Sequence, residues 1–303
     1  MIELPQPRFG VSEIVAACTL DPETAAFADA SAALARVEAT YAALASDGRI
    51  FEFESQQPGI SPEVADNVSW AYDIRLSSKK GPGRAYYDEM RLQAPGGSCT
   101  NCMARDAAAL DHYLPKIDFP VVAIQPTNLL PICTACNGTK LKTSATEANE
   151  QFLHPFFDRL GPERWMGVTV LEEPSSPTVF EVRRPANWDD TLYERVQNHF
   201  ERFQLGVLLS QKAGTLMGNH RLAFESFFAD ALDGDGPAAV RREAARLALS
   251  YAAQPQSAWA AAAFEAWSNS TWFCSGGWRM EDDRPLDSAM AHRLAPADSA
   301  SAG

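Results

Sequence analysis

Two Cys-x-x-Cys pairs, Cys99/Cys102 and Cys133/Cys136, are separated by thirty residues. Four thiolates paired in this way suit tetrahedral Zn²⁺, because each two-residue turn places two sulfurs on one side of the ion. A disulfide framework is the alternative, and it is the weaker one. The opening residues, MIELPQPRFGVSEIVAACTL, show no basic segment followed by an apolar run. No secretory signal is therefore expected, the expected location is the reducing cytoplasm, and paired cysteines there point to metal before disulfide. The separation exceeds that of a short zinc ribbon, so a further unit is expected between the two knuckles.

That unit carries groups able to do chemistry. It reads LDHYLPKIDFP and then PTNLLPICTACNGTK, with Asp111-His112 ahead of the second pair and Asn137-Gly138-Thr139-Lys140 behind it. Phosphodiester hydrolysis needs a base to activate water and a hard cation to stabilise charge on the departing oxygen. A neutral histidine is a suitable base near neutral pH. A carboxylate and an amide oxygen are suitable ligands for a Mg²⁺ that keeps several waters. Blander readings stand beside these. An Asp-His pair is usually a surface pair, and an asparagine after a cysteine knuckle is often a helix cap. Both hold in a zinc-stabilised interaction module that cuts nothing.

At these residues the sequence resembles the HNH nucleases, in the branch whose ββα-metal finger is stapled by two CxxC pairs. The resemblance runs from about Tyr86 to Asp158, roughly a quarter of the chain. It implies that His112 is the general base and Asp111 the metal-binding acid beside it. Asn128, in Thr-Asn-Leu-Leu, matches the asparagine that braces the loop between the two strands. Asn137 matches the last signature position, a metal ligand on the finger helix that is often histidine. Lys140, one turn later, matches a basic residue aimed at a phosphate. The resemblance further implies a structural Zn²⁺ on the four cysteines and a catalytic Mg²⁺ or Mn²⁺ on Asp111 and Asn137. Hydrolysis of DNA to 5′-phosphate and 3′-hydroxyl ends would follow. Downstream, Phe152-Leu153-His154-Pro155-Phe156-Phe157-Asp158 is similar to a segment of the Septu-type bacterial anti-phage nucleases, which act with an ATPase partner. His154 either touches the cleft or belongs to a packing segment.

The elements that must position these groups are mainly helical. Leu34, Val37, Tyr41 and Leu44 recur at helical spacing between Ala30 and Ala45, with an end near Gly48. A break at Lys79–Gly83 is followed by a short helix around Tyr86–Leu92. Apolar runs at Val121–Ile124 and Leu129–Ile132 lie inside the insertion. Two β-branched runs around a Pro/Ser turn at Met166–Val182 predict a hairpin. Asp189–Leu209 is expected to be one helix, capped near Asn187-Trp188-Asp189, with Leu192, Val196, Phe200, Phe203 and Val207 facing inward. Further helices are expected at His220–Leu232, Pro237–Ala253 and Ser257–Ser268. His199 falls on an apolar face and reads as a core histidine. Cys18 and Cys274 read as core thiols. Trp259, Trp267, Trp272 and Trp278 read as helical core plus partner surface.

Composition sets the frame. The 303 residues are 46% hydrophobic and 21% charged, which is ordinary for a globular protein and excludes collagenous or largely disordered classes. No run of eighteen apolar residues is present, so no membrane span is expected. The net charge of −13 runs against nucleic-acid binding, but it is unevenly spread. Between Ala71 and Ala145 nine Lys/Arg face six Asp/Glu, which leaves about −16 on the remainder. The expected architecture is α+β and mostly helical. It has a helical region at 1–85, a zinc-stapled finger at 86–160, a mainly helical region with a hairpin at 161–280, and a polar tail at 281–303.

Overall fold

The structure is a computed structural model that describes residues 3–19, 29–140, 144–231 and 234–279. The polar tail expected at 281–303 lies outside the described residues. The N-terminal region is helical, as the apolar spacing predicts. Helix α1 spans Val11–Cys18 and α2 spans Ser31–Ser46, burying Leu34, Val37 and Tyr41 on one face. The chain then turns at Gly48, whose φ of 69° suits a residue without a side chain. Helix α3, Pro62–Ala71, has Pro62 in its first turn and the Ser61 hydroxyl accepting from the Val64 N–H. It runs into a wide π-type turn, Tyr72–Leu76, and α4 follows at Arg84–Leu92.

The central unit is a strand β1, Ala109–His112, a loop, a strand β2, Leu129–Ile132, and a short helix α5, Thr134–Lys140. The strands are antiparallel, with Asp111 opposite Leu130 and His112 opposite Leu129. The first apolar run, Val121–Ile124, forms no strand. Pro120 starts a 3₁₀ turn over Pro120–Val122, and the run packs fully buried as the inner wall of the loop. The Pro131 carbonyl accepts from both the N–H and the hydroxyl of Thr100, tying β2 to the first cysteine knuckle.

The predicted hairpin is present as β3, Met166–Val170, and β4, Thr178–Val182. The helix expected over Asp189–Leu209 is instead two. Helix α6 covers Asp190–Arg202, with the Asp189 carboxylate accepting from the Leu192 N–H, and α7 covers Leu205–Ala229. Between them Gln204 takes a left-handed conformation, φ 51°. The turn lets Phe200 and Phe203 on one side, and Leu205, Leu208 and Leu209 on the other, enter the same core. Val207, expected inside, is exposed as a result. Helix α7 continues through the region read as a gap because it packs along β4. A Cβ at Gly206 would lie 3.2 Å from the Phe180 carbonyl oxygen, so glycine allows that close crossing. Helices α8, Gly236–Ala252, and α9, Ala258–Asn269, pack as an antiparallel pair.

One main apolar cluster runs from Leu4 to Trp278, and a smaller one joins Leu153, Leu160, Trp188 and Val196. Trp267 and Trp278 are fully buried, Trp259 is half-buried and Trp272 lies partly outside. Cys18 and Cys274 are buried free thiols. No helix among the described residues is long and apolar enough to cross a membrane.

Two buried histidines make the core sensitive to acid. Burial lowers the His199 pKa to about 3 and holds His154 well below the ordinary 6.5. Each unfolded imidazole takes up a proton near pH 6.5, while the folded one stays neutral. The folded state is therefore progressively destabilised as pH falls below that value, for His199 down to about 3. The expected slope is about 1.4 kcal/mol per pH unit per histidine. Urea unfolding at about pH 7 and about pH 5 should show it, and replacing either histidine with glutamine should remove its share.

Candidate metal centre and adjacent polar site

Cys99, Cys102, Cys133 and Cys136 are buried, and their sulfurs all lie within 4.8 Å of one another. No disulfide joins them, and Cys102 and Cys133 are 4.0 Å apart. Zn–S bonds of about 2.3 Å at tetrahedral angles require sulfurs about 3.8 Å apart. The cluster fits such an ion closely. The backbone prepares it: Cys99 and Met103 close the first knuckle through Met103 N–H to Cys99 O, with Met103 left-handed at φ 60°. In the second knuckle the Cys136 N–H points at the Cys133 sulfur, 3.4 Å away, and α5 begins. Hydrogen bonding from Cys102 draws the Cys133 thiol strongly down, and the contacts with Cys102 and Cys133 push Cys136 up. Thiols crowded like this share protons unless a cation takes their place.

Asp111 and His112 end β1, on successive positions that project to opposite faces. His112 turns inward and is only 7% exposed. Its Nε2 lies 2.8 Å from the Ala123 carbonyl oxygen, which can only accept, so the neutral ring carries its proton there and Nδ1 keeps the lone pair. The Tyr72 ring packs edge-on at 4.4 Å. Burial lowers the His112 pKa to about 3, which keeps the imidazole neutral and makes it a weaker base than a free one. Asp111 faces α5, with its side chain 16% exposed and a carboxylate oxygen 3.5 Å from Lys140 Nζ. Burial raises its pKa and Lys140 lowers it, the former prevailing.

Lys140, expected to face a phosphate, is buried instead. Its ammonium donates to the His112 carbonyl oxygen at 2.5 Å and pairs with Asp111. It thus ties the end of α5 to the end of β1. The reason is geometric: one turn beyond Cys136 the helix face that bears residue 140 is the one that packs on the strands. Asn137 lies on the exposed face of α5, and its N–H closes the helix onto the Cys133 carbonyl. Asp111, His112 and Lys140 are therefore brought together, while no hydrogen bond joins the Asn137 side chain to them among the described residues.

Asn128 braces the loop, as its place in the sequence implies. It is fully buried; its amide donates to the Leu114 and Val122 carbonyls and its oxygen accepts from the Leu114 N–H. Val122 precedes Ala123, the partner of His112, so the amide fixes the segment that orients the imidazole. A second layer was not foreseen. The Tyr41 hydroxyl donates to the Asn128 oxygen at 3.1 Å and lies 3.0 Å from His154 Nε2, from which it accepts. His154 stacks on Tyr113 at 4.2 Å, and its N–H donates to Asp158. Arg195 in turn donates twice to Asp158 and once to the Phe152 carbonyl, so 152–158 is a packing segment and His154 does not enter a cleft. Helical spacing placed Tyr41 inside; which group its hydroxyl meets was not visible there. His199 bonds the Asn101 carbonyl between the first two cysteines, consistent with a core role.

The fold and site define a mostly helical α+β protein with a four-cysteine cluster suited to a metal such as zinc. The chain is similar to Protein ea31 of Escherichia phage lambda, with 29% identity over 188 residues. The match takes in 58% of this chain and 63% of the phage protein, less than two thirds of its length. No family model matches the chain. No solved structure matches it either.

Proposed function

We propose that the chain is a metal-dependent endonuclease of the HNH type, hydrolysing DNA phosphodiester bonds around His112. The observation that carries this reading is the order of the central unit. A strand ending in Asp111-His112 pairs with a strand that follows a buried bracing asparagine, and a cysteine knuckle then opens a short helix. Zinc on the four cysteines would be structural, since four thiolates leave no open position. His112 Nδ1 takes a proton from water, whose oxygen forms the new P–O bond as the bond to the 3′ oxygen breaks. Asp111, which pairs with Lys140, and Asn137, on the exposed face of α5, would hold Mg²⁺ or Mn²⁺, and the ion would supply charge stabilisation for the leaving oxygen. Asn128 holds the loop that orients the imidazole, and Lys140 locks strand to helix. The likeness of 152–158 to anti-phage nucleases supports a role in defence against phage with an ATPase partner, in the cytoplasm.

Two observations favour a second reading, a zinc-stabilised interaction module without catalysis: His112 is nearly covered, and an ammonium already neutralises Asp111. Plasmid cleavage by the purified chain with Mg²⁺ or Mn²⁺ separates the two, using Asp111→Ala as the control. The nuclease reading expects cutting by the wild type and a loss of at least about 100-fold in the variant, with bound zinc unchanged. No cutting by either protein, with zinc bound in both, supports the module.

A further inference from the structure

We propose that Trp70, Arg75, Lys79 and Lys80 form a track for the phosphate backbone of duplex DNA beside His112. This rests on the nuclease reading of the site and supplies the surface that reading lacks. The chain is strongly acidic, yet Arg75 to Arg84 holds four basic residues and no acidic one. Arg84 is committed to the fold, forking onto Asp88 and donating to the Ser77 carbonyl. Lys79 and Lys80 are exposed at the tip of the turn.

The tip is held in place. The Gly83 N–H donates to the Arg75 carbonyl at 3.0 Å, and a Cβ at Gly81 would sit 2.1 Å from that same oxygen. Only glycine lets the loop fold back so closely, so the two ammonium groups are presented from an ordered turn rather than a loose one. Next to them, Trp70 is 41% and Ile74 51% exposed, an unusual placement for such side chains side by side on one helical face. The Arg75 guanidinium lies 5.2 Å from the Trp70 ring, giving a flat cationic plate that suits the sugar–phosphate edge of a duplex.

This surface abuts the reactive group. Tyr72, within the same turn, is the ring packed on His112, and Lys116 lies 5.1 Å from the Tyr72 ring and pairs with Asp73. A phosphate chain following Lys79, Lys80 and Arg75 therefore runs along the turn whose Tyr72 ring covers His112. Phosphates contacted by lysine release condensed counterions, which gives binding that weakens with salt.

The test is anisotropy of a fluorescent DNA duplex titrated with full-length His112→Asn protein, between about 50 and 200 mM salt. The same titration is run on this protein carrying Lys79→Glu with Lys80→Glu, or Trp70→Ala. Zinc content and helicity are recorded as controls. The charge reversals should weaken binding at least about tenfold and lower the salt slope by about two. Trp70→Ala should weaken it less than the charge reversals do, with the slope kept. Unaltered affinity and slope in the lysine variant overturns the track, as does a parent protein that binds no duplex. Cleavage by the His112-containing proteins is measured in parallel with Mg²⁺ or Mn²⁺. Binding that needs the lysines without any cleavage keeps the track and removes the nuclease reading. Cleavage that is indifferent to the lysines does the reverse.

Discussion

Cys133→Ser is expected to release the metal and unfold the central unit, the largest stability effect of any single substitution in this chain. Strand β2 ends at Ile132, Cys133 follows, and α5 begins one residue later. At seven residues α5 is far too short to persist on its own. The two-stranded sheet has four residues per strand, again below what stands alone. What fastens these pieces is the cluster, through the Thr100 bonds to Pro131 on one side and the Cys136 N–H to Cys133 on the other. Zinc-binding modules gain about 10–16 kcal/mol on binding, comparable with a typical domain's whole stability of about 5–15 kcal/mol. Loss of one thiolate should therefore lower the melting temperature markedly and leave less than one zinc per chain by colorimetric release. A strong chelator should do the same to the wild type. Full zinc retention and an unchanged melting curve in Cys133→Ser would mean that the cysteines are merely core thiols.

The second large effect concerns catalysis. His112→Asn should reduce DNA cleavage by about 10²–10⁴-fold, the range general-base catalysis supplies, while leaving zinc bound. Asparagine removes the basic nitrogen but is too short for its amide to replace Nε2 at the Ala123 carbonyl, so the lost hydrogen bond should also cost about 1–3 kcal/mol of stability. Cleavage is therefore compared at equal folded fraction. A rate that falls only in parallel with the folded fraction would indicate a structural role.

The four-cysteine cluster was legible in the sequence because CxxC spacing is a local geometric constraint that tertiary context cannot easily alter. The same holds for the hairpin at Met166–Val182 and for the Asp189 cap, both set by neighbouring residues. What escaped depended on long-range packing. The break at Gln204 has no glycine or proline to announce it, and it exists so that Phe203 and Leu205 can both reach the core. Lys140 carries a charge, and charge ordinarily signals exposure; only the approach of α5 to β1 supplies the Asp111 carboxylate and His112 carbonyl that let it be buried. Tyr41 and Tyr72 read as core aromatics, with nothing local to show that one hydroxyl braces Asn128 and the other ring walls His112.

The most direct test of the account is supercoiled-plasmid cleavage by purified wild-type and His112→Asn proteins with Mg²⁺ or Mn²⁺, with zinc quantified in both. The nuclease reading predicts cutting by the wild type, its near-complete loss in the variant, and about one zinc per chain in each. Zinc at that level in both proteins with no cutting by either, over the same range of metal and salt, would contradict a nuclease and leave a zinc-stapled interaction module.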